Sequence, residues 1–342
     1  MSAFQGPTPL RSRARPAAWV VTTVTLLGCA AGPGPSTPPT GPTGTATSGP
    51  AATASPASTG LALALQGRIY FGRFDLDIMG MTVWVMNADG SDQRLFVPGS
   101  RLLSCVLPGT GQVVMTGSSP DGRIVPSVAN ADGSGFRELD VPDATLNLGV
   151  AACSPDGRHL AAEGWDETRP KRTGIYTLDL DGTELNRLTT AGLGAHDIPG
   201  CYLPDGSAVA FLRYVGDAHD GSLHLVPNDG SGARRVGTES FGTGPACMPD
   251  GGELLLVAND KLIVVDAADG TSSEIRSAAP GFEAASKYGP WLSPDGSMVA
   301  FAMQLPGPYH DIYAIRLDGS GLTRLTFHPQ ADNESPRWVL DP

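Results

Sequence analysis

From residue 65 onward the apolar residues fall in short runs, such as 208–212, 253–257 and 312–315, each stopped by Gly, Pro, Asp or Ser. Runs of that length bounded by turn residues predict β-strands. Two sets of turns separate them. Asp-Gly recurs at Asp89, Asp132, Asp181, Asp229, Asp269 and Asp318, at intervals of 43, 49, 48, 40 and 49 residues. Asp-Gly between apolar runs is a hairpin signal, because Gly accepts positive φ and Asp tolerates the left-handed region. Pro-Asp-Gly recurs out of step with it, at Asp156, Asp205, Asp250 and Asp295, with a degraded copy around Pro108. Each unit reads strand, Pro-Asp-Gly turn, strand, irregular loop, strand, Asp-Gly turn and a short strand often ending Arg-Leu-Thr.

Four strands per 40–50 residues is the period of a propeller blade. The in-phase recurrence of both turn sets favours a propeller over a β-sandwich. Six Asp-Gly turns predict six outer hairpins, yet only five innermost strands precede the Pro-Asp-Gly turns, near 102–107, 149–154, 198–203, 243–248 and 288–293. The sixth is expected at the far end, 335–339, where Trp338 follows Trp291 by 47 residues in the same phase. The expected fold is therefore all-β, a six-bladed propeller over 65–342. Its C-terminal strand completes the N-terminal blade and removes two open sheet edges.

The first residues read differently. Arg11, Arg13 and Arg15 precede an apolar run over 17–27, 11 residues long. That is shorter than the ~20 residues a spanning helix needs and suits the core of a signal peptide over 1–28. The run ends Leu26-Leu27-Gly28-Cys29-Ala30, which resembles the bacterial lipobox. The resemblance implies cleavage before Cys29 and lipid attachment to its thiol. Residues 29–64 are dominated by Pro, Gly, Ser, Thr and Ala, a composition that cannot bury a core and predicts a disordered tether.

Charge narrows the partners. The net charge is −12, and −15 once residues 1–28 with their three arginines are removed. Such a chain is poorly suited to the phosphate backbone of nucleic acid, which is held by Lys and Arg. A cationic partner suits it better.

The segments IYTLDLDGTELNRLT, SPDGSMVAFA and IYAIRLDGSGLTRLT resemble the WD-like repeats of the TolB-like propeller family, over about residues 67–342. That resemblance implies the fold. Related repeats serve in periplasmic scaffolds and in the propeller domains of prolyl-oligopeptidase-type peptidases, so it leaves the activity open.

Chemistry is sparse. No Ser-centred G-x-S-x-G elbow is present, and the six histidines show no H-x-H or H-E-x-x-H spacing. The expectation is no catalytic residue, no metal and no cofactor. Asp197 and Glu334, each two residues before a Pro, are candidate carboxylates at the channel mouth. Cys105, Cys153, Cys201 and Cys247 lie in four successive blades, two or three residues before the Pro position. They are either disulfide-bonded or small buried packing residues; Cys105–Cys153 with Cys201–Cys247 is one of three connectivities. The variable loops offer Trp165, Arg169, Lys171, Arg172, Tyr309 and His310 as candidate binding residues. Together these predict an exported, lipid-anchored, monomeric, non-enzymatic propeller that binds an envelope protein or peptide on the periplasmic or extracellular side. It would meet no nucleic acid and touch the membrane only through its lipid. The alternative is a propeller enzyme or a small-molecule or metal-binding protein with its site in the central channel.

Overall fold

The structure, a computed structural model, describes residues 65–305 and 307–341. The signal peptide, Cys29 and the tether lie outside them. The described chain forms six four-stranded antiparallel sheets. In chain order the strands are β1 (Arg68–Asp75), β2 (Gly80–Asn87), β3 (Arg94–Val97), β4 (Leu102–Val106), β5 (Val113–Ser118), β6 (Ile124–Ala129), β7 (Arg137–Glu138) and β8 (Asn147–Cys153). Then come β9 (His159–Trp165), β10 (Gly174–Asp179), β11 (Leu185–Arg187), β12 (Ala195–Tyr202), β13 (Ala208–Val215), β14 (Gly221–Pro227), β15 (Arg234–Phe241) and β16 (Thr243–Cys247). The last are β17 (Glu253–Ala258), β18 (Lys261–Asp266), β19 (Ser272–Glu274), β20 (Lys287–Leu292), β21 (Met298–Met303), β22 (Asp311–Arg316), β23 (Thr323–Arg324) and β24 (Asn333–Val339). Blade one is β24-β1-β2-β3, and the others are consecutive quartets beginning at β4, β8, β12, β16 and β20. Each innermost strand touches the innermost strands of both neighbours, so the blades close into a ring.

Closure is non-covalent. β24 pairs antiparallel with β1, setting Ile69 opposite Trp338 and Arg73 opposite Asn333. Trp338 is buried and its indole N–H donates to Gln66 O at 2.9 Å. Arg68 pairs with Asp341 at 2.6 Å.

The turn residues show why the repeat has its form. In blade six Ser293 Oγ donates to Asp295 at 2.6 Å and accepts the Met298 N–H at 2.9 Å, which fixes the Pro-Asp-Gly hairpin. The Asp-Gly turns do more than reverse the chain. Gly319 has φ +79°, and a Cβ there would lie 1.6 Å from Arg276 O of the preceding blade. Glycine is needed both for the turn and for the approach of the neighbouring blade. An identical Ser-Pro-Asp-Gly string at 119–122 joins β5 to β6 at the opposite end of the blade. The tetrapeptide thus specifies a hairpin, and its phase in the repeat specifies the face.

Arg-Leu-Thr is a latch between blades three and four. Leu188 is buried, while Thr189 Oγ1 accepts the Ile175 N–H at 2.8 Å and donates to Asp197 at 2.6 Å. In blade six Thr326 Oγ1 accepts the Ile312 N–H and donates to Asp311 of the same blade, and Asp311 in turn accepts from Asn333 of blade one at 3.1 Å.

Each innermost strand carries a bulge where it pairs with its second strand. A bulge re-aims side chains locally, here in the strands that surround the axis. Two pairs of these strands are joined covalently. Cys105–Cys153 links blades two and three, and Cys201–Cys247 links blades four and five, each with Cα atoms 5.8 Å apart. Between blades six and one, Trp291 and Trp338 pack into one apolar cluster.

The first-to-second and third-to-fourth turns form one face of the ring, the turn face. The second-to-third loops and the links between blades form the other, the loop face. The described chain enters at Leu65 to Arg68, at the turn-face end of β1.

Candidate functional site

The two candidate carboxylates part company. Asp197 is wholly buried and does not reach the channel mouth. Its carboxylate takes Arg213 Nε at 2.6 Å and Nη2 at 2.7 Å, together with the Thr189 hydroxyl. A buried carboxylate is tolerated when paired and hydrogen-bonded, and Asp197 is used up in that structural role. The residue that matches it in blade one is Asn333, which faces Arg73 as Asp197 faces Arg213, rather than Glu334. One extra residue before the proline displaces the sequence correspondence.

Glu334 lies one residue beyond Asn333, beside the bulge where Ser335 takes φ +53°. It lines a cavity of about 110 Å³ together with Gly72, Met81, Arg101, Leu102, Leu103, Val150, Ser335 and Arg337. Innermost strands of blades one, two and three meet there, so the cavity opens on the channel at its loop-face end. Burial pushes the Glu334 carboxyl above its usual value; His310 opposes that shift and Asp332 adds to it. Arg337 reaches from β24 to Ser104 O of blade two at 2.7 Å, and its guanidinium lies 4.3 Å from the Trp291 ring of blade six. A side chain that touches both neighbouring blades projects into the ring. Burial lowers Arg337 to about 10.

Trp165, Arg169, Lys171 and Arg172 sit on the loop after β9. Their arginines are not free cations. Asp166, buried, accepts from the Thr168 hydroxyl and amide, from Arg169 Nε at 2.8 Å and from Arg172 Nη1 at 3.0 Å. The Thr168 hydrogen bond leads in holding its carboxyl well below the ordinary range. Arg172 also binds Asp143, which raises the guanidinium further. Lys171 is exposed, and the Trp165 indole donates to Glu167 at 2.9 Å. Tyr309 and His310 lie on blade six, opposite blade three in a six-membered ring, so the two groups are not brought together. His310 Nδ1 meets Asp332 at 2.8 Å, its ring stands edge-on to Tyr288, and its Nε2 is buried without a partner.

Sequence reasoning missed Arg337 and Arg101 in the cavity. The available signal was an arginine set between Pro336 and Trp338 in a strand already assigned to the centre of the ring. It also missed an apolar concentration. Among the described residues, seven of the ten large exposed apolar or aromatic side chains lie on the loop face: Leu76, Ile78, Met79, Leu193, Val215, Tyr288 and Phe327. Met79 is 73% exposed and Leu193 70%. Leu76, Ile78 and Met79 share the single loop between β1 and β2, and grouped exposed apolar side chains mark interaction sites. The described residues contain no group of His, Cys, Asp and Glu able to hold a metal, and no helix long and apolar enough to cross a membrane.

No sequence-family model matches the chain, and no curated protein matches it by sequence. Solved structures match it in shape. TolB from Acinetobacter baumannii superposes with a TM-score of 0.63 at 17% identity, covering 80% of this chain and 67% of TolB. A TolB structure from Agrobacterium tumefaciens gives 0.57 at 15% identity, covering 80% of this chain and 98% of the other. A puromycin-hydrolyzing peptidase from Mycobacterium tuberculosis gives 0.50 at 16% identity, covering 78% of this chain and 45% of the peptidase. Likeness at these identities is likeness of fold, and peptidases share it. The described residues thus form a six-bladed β-propeller of TolB-like fold.

Proposed function

We propose that this protein is an exported, lipid-anchored, non-enzymatic binding propeller whose loop face docks a cationic, partly apolar protein or peptide of the cell envelope. The observation that carries the proposal is the gathering of exposed apolar side chains on that face. The turn face, by contrast, consists of short turns whose Asp and Ser side chains bond their own backbone. Charge indicates the partner's sign. Asp77 stands between Leu76 and Ile78, Asp217 and Asp220 follow Val215, and none of these acids forms an ion pair among the described residues.

Affinity capture from detergent-solubilised envelope, with the full-length protein as bait, tests the docking reading. Leu76→Ser with Met79→Ser removes the apolar contact without adding charge and should leave thermal unfolding unchanged, since both side chains are exposed. It should reduce recovery of a salt-sensitive partner by about tenfold or more, because each buried apolar side chain contributes roughly 1.5–3 kcal/mol. Equal recovery by the wild type and the double variant would remove the loop face from consideration. The anchor is tested separately. Cys29→Ala should move the protein from the detergent phase to the aqueous phase on phase partitioning, and retention in the detergent phase would refute lipid attachment at that residue.

A further inference from the structure

The loop between β1 and β2 carries a side chain that can change its polarity. Met79 is 73% exposed, the most exposed large apolar side chain among the described residues. Met86, Met115, Met248, Met298 and Met303 are all buried. Met81, two residues on, is half-buried and lines the channel cavity, close against Gly72. Met79 also takes φ +47°. That region suits glycine or asparagine and is an outlier for a bulky side chain, so the loop holds its thioether in the open against local preference. A backbone outlier of this kind, once observed, points to function. Leu76 and Ile78, both exposed, stand beside it in the loop.

A thioether is an apolar group that a mild oxidant turns polar. The sulfur lone pair attacks one oxygen of hydrogen peroxide, and an S–O bond forms as the O–O bond breaks. The proton of the attacked oxygen passes to the other, which leaves as water. Sulfur is oxidised by two electrons and the peroxide is reduced by two. A dithiol reductase reverses the step: two thiols close to a disulfide, and the sulfoxide oxygen leaves as water. Access to sulfur decides which methionine reacts. Asp75 and Asp77 flank the loop, and their charge does not repel a neutral oxidant.

We infer that Met79 is an oxidation site through which a hydroperoxide switches docking on the loop face off. The inference rests on the docking reading given above and adds its regulation. A sulfoxide at residue 79 puts a strong acceptor where the partner covers apolar surface, and covering it without a donor carries a desolvation cost. The five buried methionines are shielded from the same dose, so the ring stays folded while its binding face changes. Met81 is the internal comparison, the same side chain two residues away and half-covered.

Full-length protein treated with graded hydrogen peroxide and mapped by fragment mass spectrometry tests the site. Met79 should gain one oxygen at least about tenfold faster than Met81 and the buried methionines; equal rates at Met79 and Met81 overturn the inference. Retention on a phenyl column reads the surface without a partner. Oxidised wild type should elute earlier, and an equal shift in peroxide-treated Met79→Leu overturns the inference by assigning the change elsewhere. Partner recovery from solubilised envelope, with the bait alone treated, reads the switch. Recovery should fall about tenfold once Met79 is oxidised, as for loss of one buried apolar side chain, and return after methionine sulfoxide reductase with a dithiol. Met79→Leu is compared only with itself, and its recovery should be equal before and after peroxide. Selective oxidation of Met79 with unchanged recovery overturns the switch and leaves the docking reading standing. If untreated protein recovers no partner, the docking reading fails and the switch fails with it.

Discussion

Truncation after Asp332 should leave a chain with no cooperative thermal unfolding. The lost segment contains all of β24, the innermost strand of blade one, and with it the β24–β1 ladder that closes the ring. Trp338 alone is 3% exposed and packs with Ile69, Phe71 and Met86 of blade one and with Ala300, Ala302 and Ile312 of blade six. Truncating a buried Trp to Ala costs about 3–5 kcal/mol. Loss of the whole strand also bares β1 and one side of β20, and whole domains are stable by only about 5–15 kcal/mol. Circular dichroism on heating is sufficient to check this. A sharp transition at the wild-type midpoint in the truncated protein would show that blade one stands without its C-terminal strand. Trp338→Ala is the graded companion and should lower the midpoint while keeping the transition cooperative.

Removing both disulfides, by Cys153→Ser with Cys247→Ser, should produce the next largest loss. The bonds close loops of 48 and 46 residues. On the chain-entropy account each contributes about 4 kcal/mol, with measured cases spanning roughly 0–5. For a domain of this size about 1 kcal/mol moves the midpoint by roughly 2–4 °C. The double variant should thus melt about 15–30 °C lower, and each single variant about half as far. Reductant should shift the wild type in the same direction and the double variant not at all. Identical melting of wild type and double variant, with four free thiols in denatured wild type, would show that the bonds do not form.

The fold was legible because its information is local and repeated. Asp-Gly and Pro-Asp-Gly mark hairpins through backbone conformation alone, and their phase counts the blades. The closing strand was legible because Trp338 keeps the phase of Trp291. The site was less so, and Asp197 and Glu334 show why. Both stand two residues before a proline, but a single inserted residue puts one against Arg213 in the core and the other on the channel cavity. In a strand one residue decides the side, and a bulge resets that count. The same rule was available for the cysteines. Cys105 and Cys201 stand three residues before their prolines, Cys153 and Cys247 two. That offset turns successive cysteines to opposite sides of their strands, so each faces its mate. The ion-pair network around Asp166 was not legible, because Asp143 and Arg172 meet through the fold of a loop that has no repeat to read it against.

The inner-strand links have a consequence for how such a ring can change its size. Cysteine joins blades two to three and four to five, and tryptophan joins six to one, so the unit of construction is a pair of blades. A gene duplication adding one blade would leave an inner strand without a mate: an orphan thiol, or an indole facing a sulfur. Adding or losing two blades keeps every mate. This lineage is therefore expected to vary in steps of two, as a ring of three couples, while its hairpin grammar alone would permit any number.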